Sequence, residues 1–285
     1  SKGFGALILQ KSVSQKSRKI FHFSSFKKYG FTLAEVLITL GVVGVIAAMT
    51  IPTVVSNYQK MVTVHRLKQT YSQIWQAMRM VSNDFGGDDP DGWDCSDWDI
   101  GANWYKSPAQ SRCIYLVFDK IANATIFPRT GKKETMMCHI PGKDYPEYTY
   151  VNGVKVANND KTFCGNGYSA SFPNGACVAW TPLYWCYESG GSFIIDVNGS
   201  YTGPNRMGRD LFVFRWGTAN DQVNPVPALA LWPHGYTMTR NGVITVPERK
   251  QLINSWRGCN KYQEGANCTG LLVHDGWKIS PDYPW

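Results

Sequence analysis

From Phe31 to Ile51 the chain is apolar at every position except Thr32, Glu35, Thr39 and Thr50. At about 1.5 Å per residue this run predicts a helix of roughly 31 Å, long enough to cross a bilayer core. Beyond Pro52, apolar residues recur every three or four positions: Val54, Tyr58, Met61, Val64, Leu67, Tyr71, Ile74, Met78 and Val81. That spacing predicts an amphipathic helix packed on the domain C-terminal to it and ending between Asn83 and Gly87. From residue 84 the texture changes to Gly, Pro, Asn, Asp and aromatics with short apolar runs. Ile114–Phe118 and Ile121–Phe127 predict short elements, helix or strand. Ser192–Val197 and Asp210–Arg215 predict strands, joined through turns at Asp196-Val197-Asn198-Gly199 and Gly203-Pro204-Asn205. Thr237–Arg240 and Val243–Val246, around Asn241-Gly242, predict a hairpin with a two-residue type I′ turn. Pro247 suits the first turn of a short helix running to about Trp256.

The formal charge of +8 changes meaning once it is placed. Lys2, Lys11, Lys16, Arg18, Lys19, Lys27 and Lys28 lie within residues 1–30, which hold no acid. Without them 22 basic residues face 21 acidic ones. The excess belongs to one terminal segment, so no nucleic-acid partner is expected. Lys27 and Lys28, directly before the apolar run, put its N-terminal side in the cytoplasm by the positive-inside rule. No Met precedes Met49, so translation is expected to start upstream of Ser1.

All eight cysteines, Cys95, Cys113, Cys138, Cys164, Cys177, Cys186, Cys259 and Cys268, come after residue 94. An even number confined to the portion beyond the membrane reads as four disulfides made in an oxidising space. The zinc alternative lacks any Cys-x-x-Cys pair, and His139 beside Cys138 is not a usual ligand spacing. Sequence leaves the connectivity open; Cys259–Cys268 is the most local pairing.

Glu35 does not suit a plain anchor, since an acid at the centre of a spanning helix costs roughly 2.5–3.5 kcal/mol on insertion scales, less near an end. Tolerance of a near-end charge leaves unexplained why the apolar run begins directly after Gly30. Gly30-Phe31-Thr32-Leu33-Ala34-Glu35, with an apolar run after it ending at Ile51-Pro52, resembles the N-terminal signature of type IV pilins and type II secretion pseudopilins. The resemblance covers roughly Lys27 to Tyr58. It implies cleavage by a prepilin peptidase after Gly30, methylation of the new amine on Phe31, and a role for Glu35 in assembly. On this reading residues 1–30 are a leader, 31–83 a long helix (31–51 spanning, 52–83 amphipathic) and 84–285 an extracytoplasmic head. The expected fold class is α+β, a helical stalk with a disulfide-rich, loop-rich head containing β-structure.

Other candidate chemistry is thin. Gly165-x-Gly167-x-x-Ala170 matches a dinucleotide fingerprint only superficially, since Phe172-Pro173-Asn174-Gly175 stands where a helix is required, and a loop is expected. His22, His65, His139, His234 and His274 form no triad pattern, and no Gly-x-Ser-x-Gly or His-Glu-x-x-His occurs. The acidic run Asp84, Asp88, Asp89, Asp91, Asp94, Asp97 and Asp99 lacks EF-hand spacing and reads as a solvated loop. Asp196, Asn198 and Asp210 are the better calcium candidates, because two strand ends can converge there; the bland reading is that they bond turn backbone. Some major pseudopilins bind calcium near their C-terminal ends, without a residue-by-residue match here. Gly44 and Ala48 form a small-xxx-small pair that permits close helix approach.

The function expected is a non-enzymatic structural subunit of a type IV pilus or type II secretion pseudopilus, with calcium the one candidate cofactor. Its partners would be the prepilin peptidase, other subunits and the inner membrane, crossed once with the N-terminus cytoplasmic. The head would face the periplasm, or the exterior after assembly. One alternative is an adhesin-like binding head on a pilus, suggested by the 11 Trp. Another is a Sec-exported or anchored periplasmic protein cut after Val45-Ile46-Ala47, against which stand the long apolar region and its internal Glu35.

Overall fold

The computed structural model describes residues 30–87, 108–127, 137–138, 140, 142–144, 146–156, 169–181, 191–217, 229–239 and 243–285. Two compact units meet at Pro52: Ser1–Pro52 and Thr53–Trp285. The fold is α+β, a long N-terminal apolar helix and then an antiparallel sheet with two disulfides among the described residues.

Helix α1 is Leu33–Asp84. Its most apolar stretch, in the first unit, is not buried, and the helix is long and apolar enough to cross a membrane. Its hydroxyls turn inward on the backbone. Thr39 Oγ donates to the Val36 carbonyl at 3.0 Å and Thr50 Oγ to the Ile46 carbonyl at 3.0 Å. These bonds leave no unsatisfied donor on the apolar surface.

In the second unit the amphipathic stripe is only partly used. Leu67, Ile74, Met78 and Val81 are buried and Val64 and Tyr71 pack against the core, but Val54, Tyr58 and Met61 are exposed. The expected packing therefore begins about three turns later than the apolar periodicity does, because the periodicity reports amphipathicity and not which partner covers it. Thr70 and Ala77 complete the buried face. Lys120 pairs with Asp84 at 2.5 Å, so the first acid of the acidic run is engaged; the others lie outside the described residues.

The remaining elements are α2 (Pro108–Asp119), β1 (Thr125–Phe127), β2 (Ser169–Ser171), β3 (Cys177–Thr181), β4 (Gly191–Asp196), β5 (Leu211–Gly217), β6 (Ala230–Pro233), β7 (Thr237–Met238), β8 (Ile244–Thr245), α3 (Arg249–Asn254) and α4 (Cys268–His274). Strands β1 to β6 pair in sequential order, each antiparallel to the next. Of the two runs left open in type, the first is part of α2 and the second ends in β1. The two strands expected at Ser192–Val197 and Asp210–Arg215 are β4 and β5, in the register Ser192 opposite Arg215 to Asp196 opposite Leu211. Residues Ser192–Asp196 and Leu211–Trp216 are all buried. One face carries Phe193 and Phe214. Phe193 meets Phe118 of α2 at 6.2 Å and Phe214 meets Tyr71 of α1 at 5.0 Å. Successive strand residues alternate between faces, so Val213 and Arg215 point the other way and are buried too.

Three readings need correction. Thr237 pairs with Thr245 and Met238 with Ile244, and Thr239 N–H donates to the Val243 carbonyl at 2.8 Å. This register centres the hairpin on residue 241, one position off the register that an Asn241-Gly242 two-residue turn needs; the turn residues 240–242 themselves lie outside the described residues. The short helix is Arg249–Asn254, starting two residues after Pro247, with Gln251 Oε1 accepting the Glu248 N–H at 3.2 Å. Ala170 of the Gly-x-Gly pattern lies in β2 opposite Val178, where a dinucleotide loop would need a helix and a plain loop was expected; Gly165 and Gly167 lie outside the described residues.

The C-terminal tail is part of the core, which sequence did not announce. Trp277 stacks on Phe214 at 6.3 Å and meets Tyr71 at 5.7 Å, while the buried Tyr283 hydroxyl donates to the Gly208 carbonyl at 2.7 Å. Gly208 has φ of +76°, and a Cβ there would lie 2.7 Å from Cys268 Sγ, so both conformation and space exclude a side chain.

Candidate functional site

Gly30, Phe31 and Thr32 precede the first helical residue, and Phe31 is 85% exposed. The Gly30–Phe31 peptide bond thus lies in an accessible non-helical stretch, as a protease substrate requires. Thr32 then caps α1 reciprocally with Glu35. Glu35 Oε2 accepts from the Thr32 N–H at 2.8 Å and from the Thr32 hydroxyl at 2.9 Å, and the Glu35 N–H donates to Thr32 Oγ at 3.2 Å. This is a Thr-x-x-Glu capping box, satisfying N-terminal donors that have no helical partner. The Thr-x-x-Glu spacing of this capping box is legible in the sequence. Gly44 and Ala48 lie on the exposed apolar surface, and a Cβ built on Gly44 would meet nothing within 4 Å, so a second helix could approach there.

Two predicted disulfide partners sit side by side in the local pair. Cys259 and Cys268 are bonded with Cα atoms 4.6 Å apart, and Cys138 and Cys177 join with Cα atoms 6.0 Å apart. The second bond ties the 137–138 turn to the start of β3 across 39 residues. Cys138 N–H also donates to Ser169 Oγ at 3.0 Å, and Ser200 Oγ donates to the Met137 carbonyl. Cys95, Cys164 and Cys186, and the side chain of Cys113, lie outside the described residues.

The calcium candidates do converge. Asp196 ends β4 and Asp210 precedes β5, with the Val197 N–H donating to the Asp210 carbonyl at 2.9 Å. Both carboxyls are buried. Asp196 accepts from the Tyr148 hydroxyl at 3.3 Å and from the Asn198 N–H at 3.3 Å. Asp210 accepts from the N–H groups of Asn205 at 2.7 Å and Arg206 at 2.5 Å. Asn198 Nδ2 donates to the Gly203 carbonyl at 3.2 Å and Asn205 Nδ2 to the Ser200 carbonyl at 2.9 Å. The amide oxygens of both asparagines are buried without a hydrogen-bond partner. Burial, and then the charge of Asp210, raises the Asp196 pKa to about 8; burial raises that of Asp210 as well. Asn205 was absent from the sequence-level set, and only the return of the 197–210 loop brings it close. Turn bonding accounts for the amide nitrogens but not for the two orphaned oxygens. Among the described residues no group of three or more His, Cys, Asp or Glu gathers for a metal.

A family model described as the prokaryotic N-terminal methylation motif matches residues 25–51. That segment carries the signature of type IV pilins and pseudopilins, and it contains the Gly30–Phe31 bond and Glu35. Neither the curated proteins nor the solved structures contain a match to the chain.

Proposed function

We propose that this chain is a filament-forming structural subunit, a pilin-like or pseudopilin protein assembled through its N-terminal helix. The observation that carries the reading is the apolar stretch of α1 from Leu33 to Ile51, none of it buried and all of it inside the segment that matches the methylation motif. Such a surface needs lipid before assembly and neighbouring helices after it. On this proposal a prepilin peptidase removes residues 1–30 at the cytoplasmic face and the new Phe31 amine is methylated. Residues 31–83 then form the assembly helix and 84–285 the extracytoplasmic, non-enzymatic head. Glu35 neutralises the Phe31 ammonium of a neighbour, which offsets the cost of holding two charges in a lipid-like core. Mass spectrometry of the mature N-terminal peptide tests the proposal: N-methyl-Phe31 is expected, and a peptide beginning at Ala48 would replace it with signal-peptidase export.

The two orphaned amide oxygens favour a second element, a structural calcium ion. Asp196, Asp210, Asn198 and Asn205 supply hard oxygen donors, and the cation would let both buried carboxyls ionise. Calcium should raise the melting temperature of the purified chain and chelator should reverse it, whereas magnesium should not substitute. An Asp210→Asn variant melting independently of calcium is expected; a wild-type protein indifferent to calcium would remove this element alone.

A further inference from the structure

Between Val36 and Asn83 the sequence of α1 holds Lys60, Arg66, Lys68 and Arg79 and no acid. Within the second unit, the fold brings two tryptophans and a further cation to this stretch from elsewhere in the chain. Lys60 Nζ lies 6.0 Å from the ring centroid of Trp285, and the Arg209 guanidinium lies 5.5 Å from the same ring. Two helical turns beyond Lys60, Lys68 Nζ lies 5.5 Å from the Trp277 ring. We infer that Lys60, Lys68 and Arg209, with Trp277 and Trp285, form a docking surface for the phosphate headgroups of anionic lipid. The inference rests on the reading of α1 as a membrane anchor and adds a second, electrostatic contact with lipid.

The three charges are available. Among the described residues none of them meets a carboxylate. The acids nearby in sequence are engaged elsewhere. Asp210, next to Arg209, is buried and accepts the N–H groups of Asn205 and Arg206. Asp275 and Asp282, either side of Trp277 and the tail, both pair with Arg249 at 2.8 Å. An indole under a cation steadies the long side chain while leaving its outward N–H groups free to donate. A merely solvated face needs no such support, and three rotamer-rich side chains held this way lose less entropy on meeting an anion.

Three observations select lipid as the occupant. Lys60 stands eight residues past Pro52, so even a fully extended chain keeps it within about 28 Å of the end of the apolar stretch. Tethering at that range makes headgroup phosphates the most concentrated anions the surface can meet. Tryptophan, an apolar ring with one N–H, is the side chain that settles at headgroup depth. Lys60 and Lys68 are about 12 Å apart along α1, so the charges form a strip suited to many phosphates and not a pocket for one. Near an anionic bilayer each such cation strengthens binding roughly fivefold. An acidic segment of a second copy, such as the run from Asp88 to Asp99, has the right sign of charge but needs another chain to arrive. Lipid is present for the isolated subunit.

Lysine footprinting of the full chain tests the surface. The chain is placed singly in nanodiscs of pure phosphatidylcholine, or of phosphatidylcholine mixed equally with phosphatidylglycerol, and acetylation of each lysine is followed by mass spectrometry. Lys60 and Lys68 should react several-fold more slowly in the mixed discs, and about 1 M salt should remove the difference. Lys155, paired with Glu147 at 2.9 Å, serves as the reference and should react equally in both. Arg209→Gln and Lys68→Gln should each speed acetylation of Lys60 in the mixed discs by up to about fivefold. Equal reactivity of Lys60 and Lys68 in the two lipids overturns the inference, as does protection that neither substitution changes. Protection seen only when a disc holds two chains also overturns it, and gives the surface to a second copy. A chain that enters neither disc would overturn the anchor reading and this inference together, so the two failures are distinguishable. Should Arg209→Gln fail to fold, Lys68→Gln, at an exposed position, decides.

Discussion

The carboxylate of Glu35 accepts two hydrogen bonds from Thr32, one from its backbone N–H and one from its hydroxyl, at 2.8 and 2.9 Å. An acid at the head of a membrane helix therefore has work within its own subunit, before any neighbour is present. Removing Glu35 would both uncap α1 and delete a charge, so Glu35→Ala by itself cannot separate the two roles.

Glu35→Gln separates them, because glutamine can still complete the capping box but carries no charge. Glu35→Gln subunits should insert and be cleaved but stay in the membrane pool, absent from sheared filaments. Thr32→Val should lose about 1 kcal/mol of helix capping yet still incorporate. Incorporation of Glu35→Gln at the wild-type level would show that the charge has no part in assembly.

Non-reducing mass analysis should find four disulfides and no free thiol, with peptides linking Cys259 to Cys268 and Cys138 to Cys177. In the chain-entropy model the 9-residue separation stabilises by about 2.5 kcal/mol and the 39-residue one by about 4. Replacing Cys138 and Cys177 by serine should then lower thermal stability more than replacing Cys259 and Cys268. Stoichiometric zinc in the purified protein would contradict the assignment.

Arg249 holds the C-terminal tail by pairing with Asp275 and Asp282, both at 2.8 Å. Hydrogen bonds from its guanidinium keep both carboxyls below the usual carboxylate range. A carboxyl whose pKa is depressed by folding contributes stability above its unfolded pKa and loses it as the pH falls. The loss should begin near pH 5 and continue below about pH 3. Arg249→Met should destabilise by on the order of 1 kcal/mol at neutral pH, given the exposure of the pair, and by less at about pH 3. An equal effect at both values would mean that the arginine acts by packing only.

His234 works in the same sense but over a higher pH range. Its folded pKa, lowered to about 3, lies below the unfolded value near 6.5, so the unfolded chain takes up the proton first as the pH falls. Unfolding free energy should drop by about 1.4 kcal/mol per pH unit from this group between about pH 6 and pH 3. Denaturant titrations of His234→Gln should show a shallower slope over that interval. An unchanged slope would mean that the imidazole is already protonated in the folded state.

How much could be read in advance varied along the chain. The apolar run, the amphipathic helix and strands β4 and β5 were legible because each writes a strong local period into the sequence. The hairpin was legible as a pair of strands but not in its register, since Thr237–Met238 and Ile244–Thr245 accept either of two loop lengths. The pairing of Cys259 with Cys268 came from nearness in the chain, whereas Cys138 with Cys177 depended on where the 137–138 turn meets β3.

Residues 30–51 by themselves determined the membrane-length helix, the Gly30–Phe31 junction of the motif and the capping and charge of Glu35, because all of these act within a few residues of one another. Tertiary structure decided which part of the amphipathic stripe is covered, since Leu67 is buried and Tyr71 meets Phe214 of β5 and Trp277 of the tail while Tyr58 and Met61 stay exposed in the second unit. It also gathered Asp196 with Asp210 and Arg215 with His234 and Arg257, groups that share no local pattern. Their charges are felt only across the few ångströms to which the folded sheet brings them, and no periodicity in the chain encodes that distance.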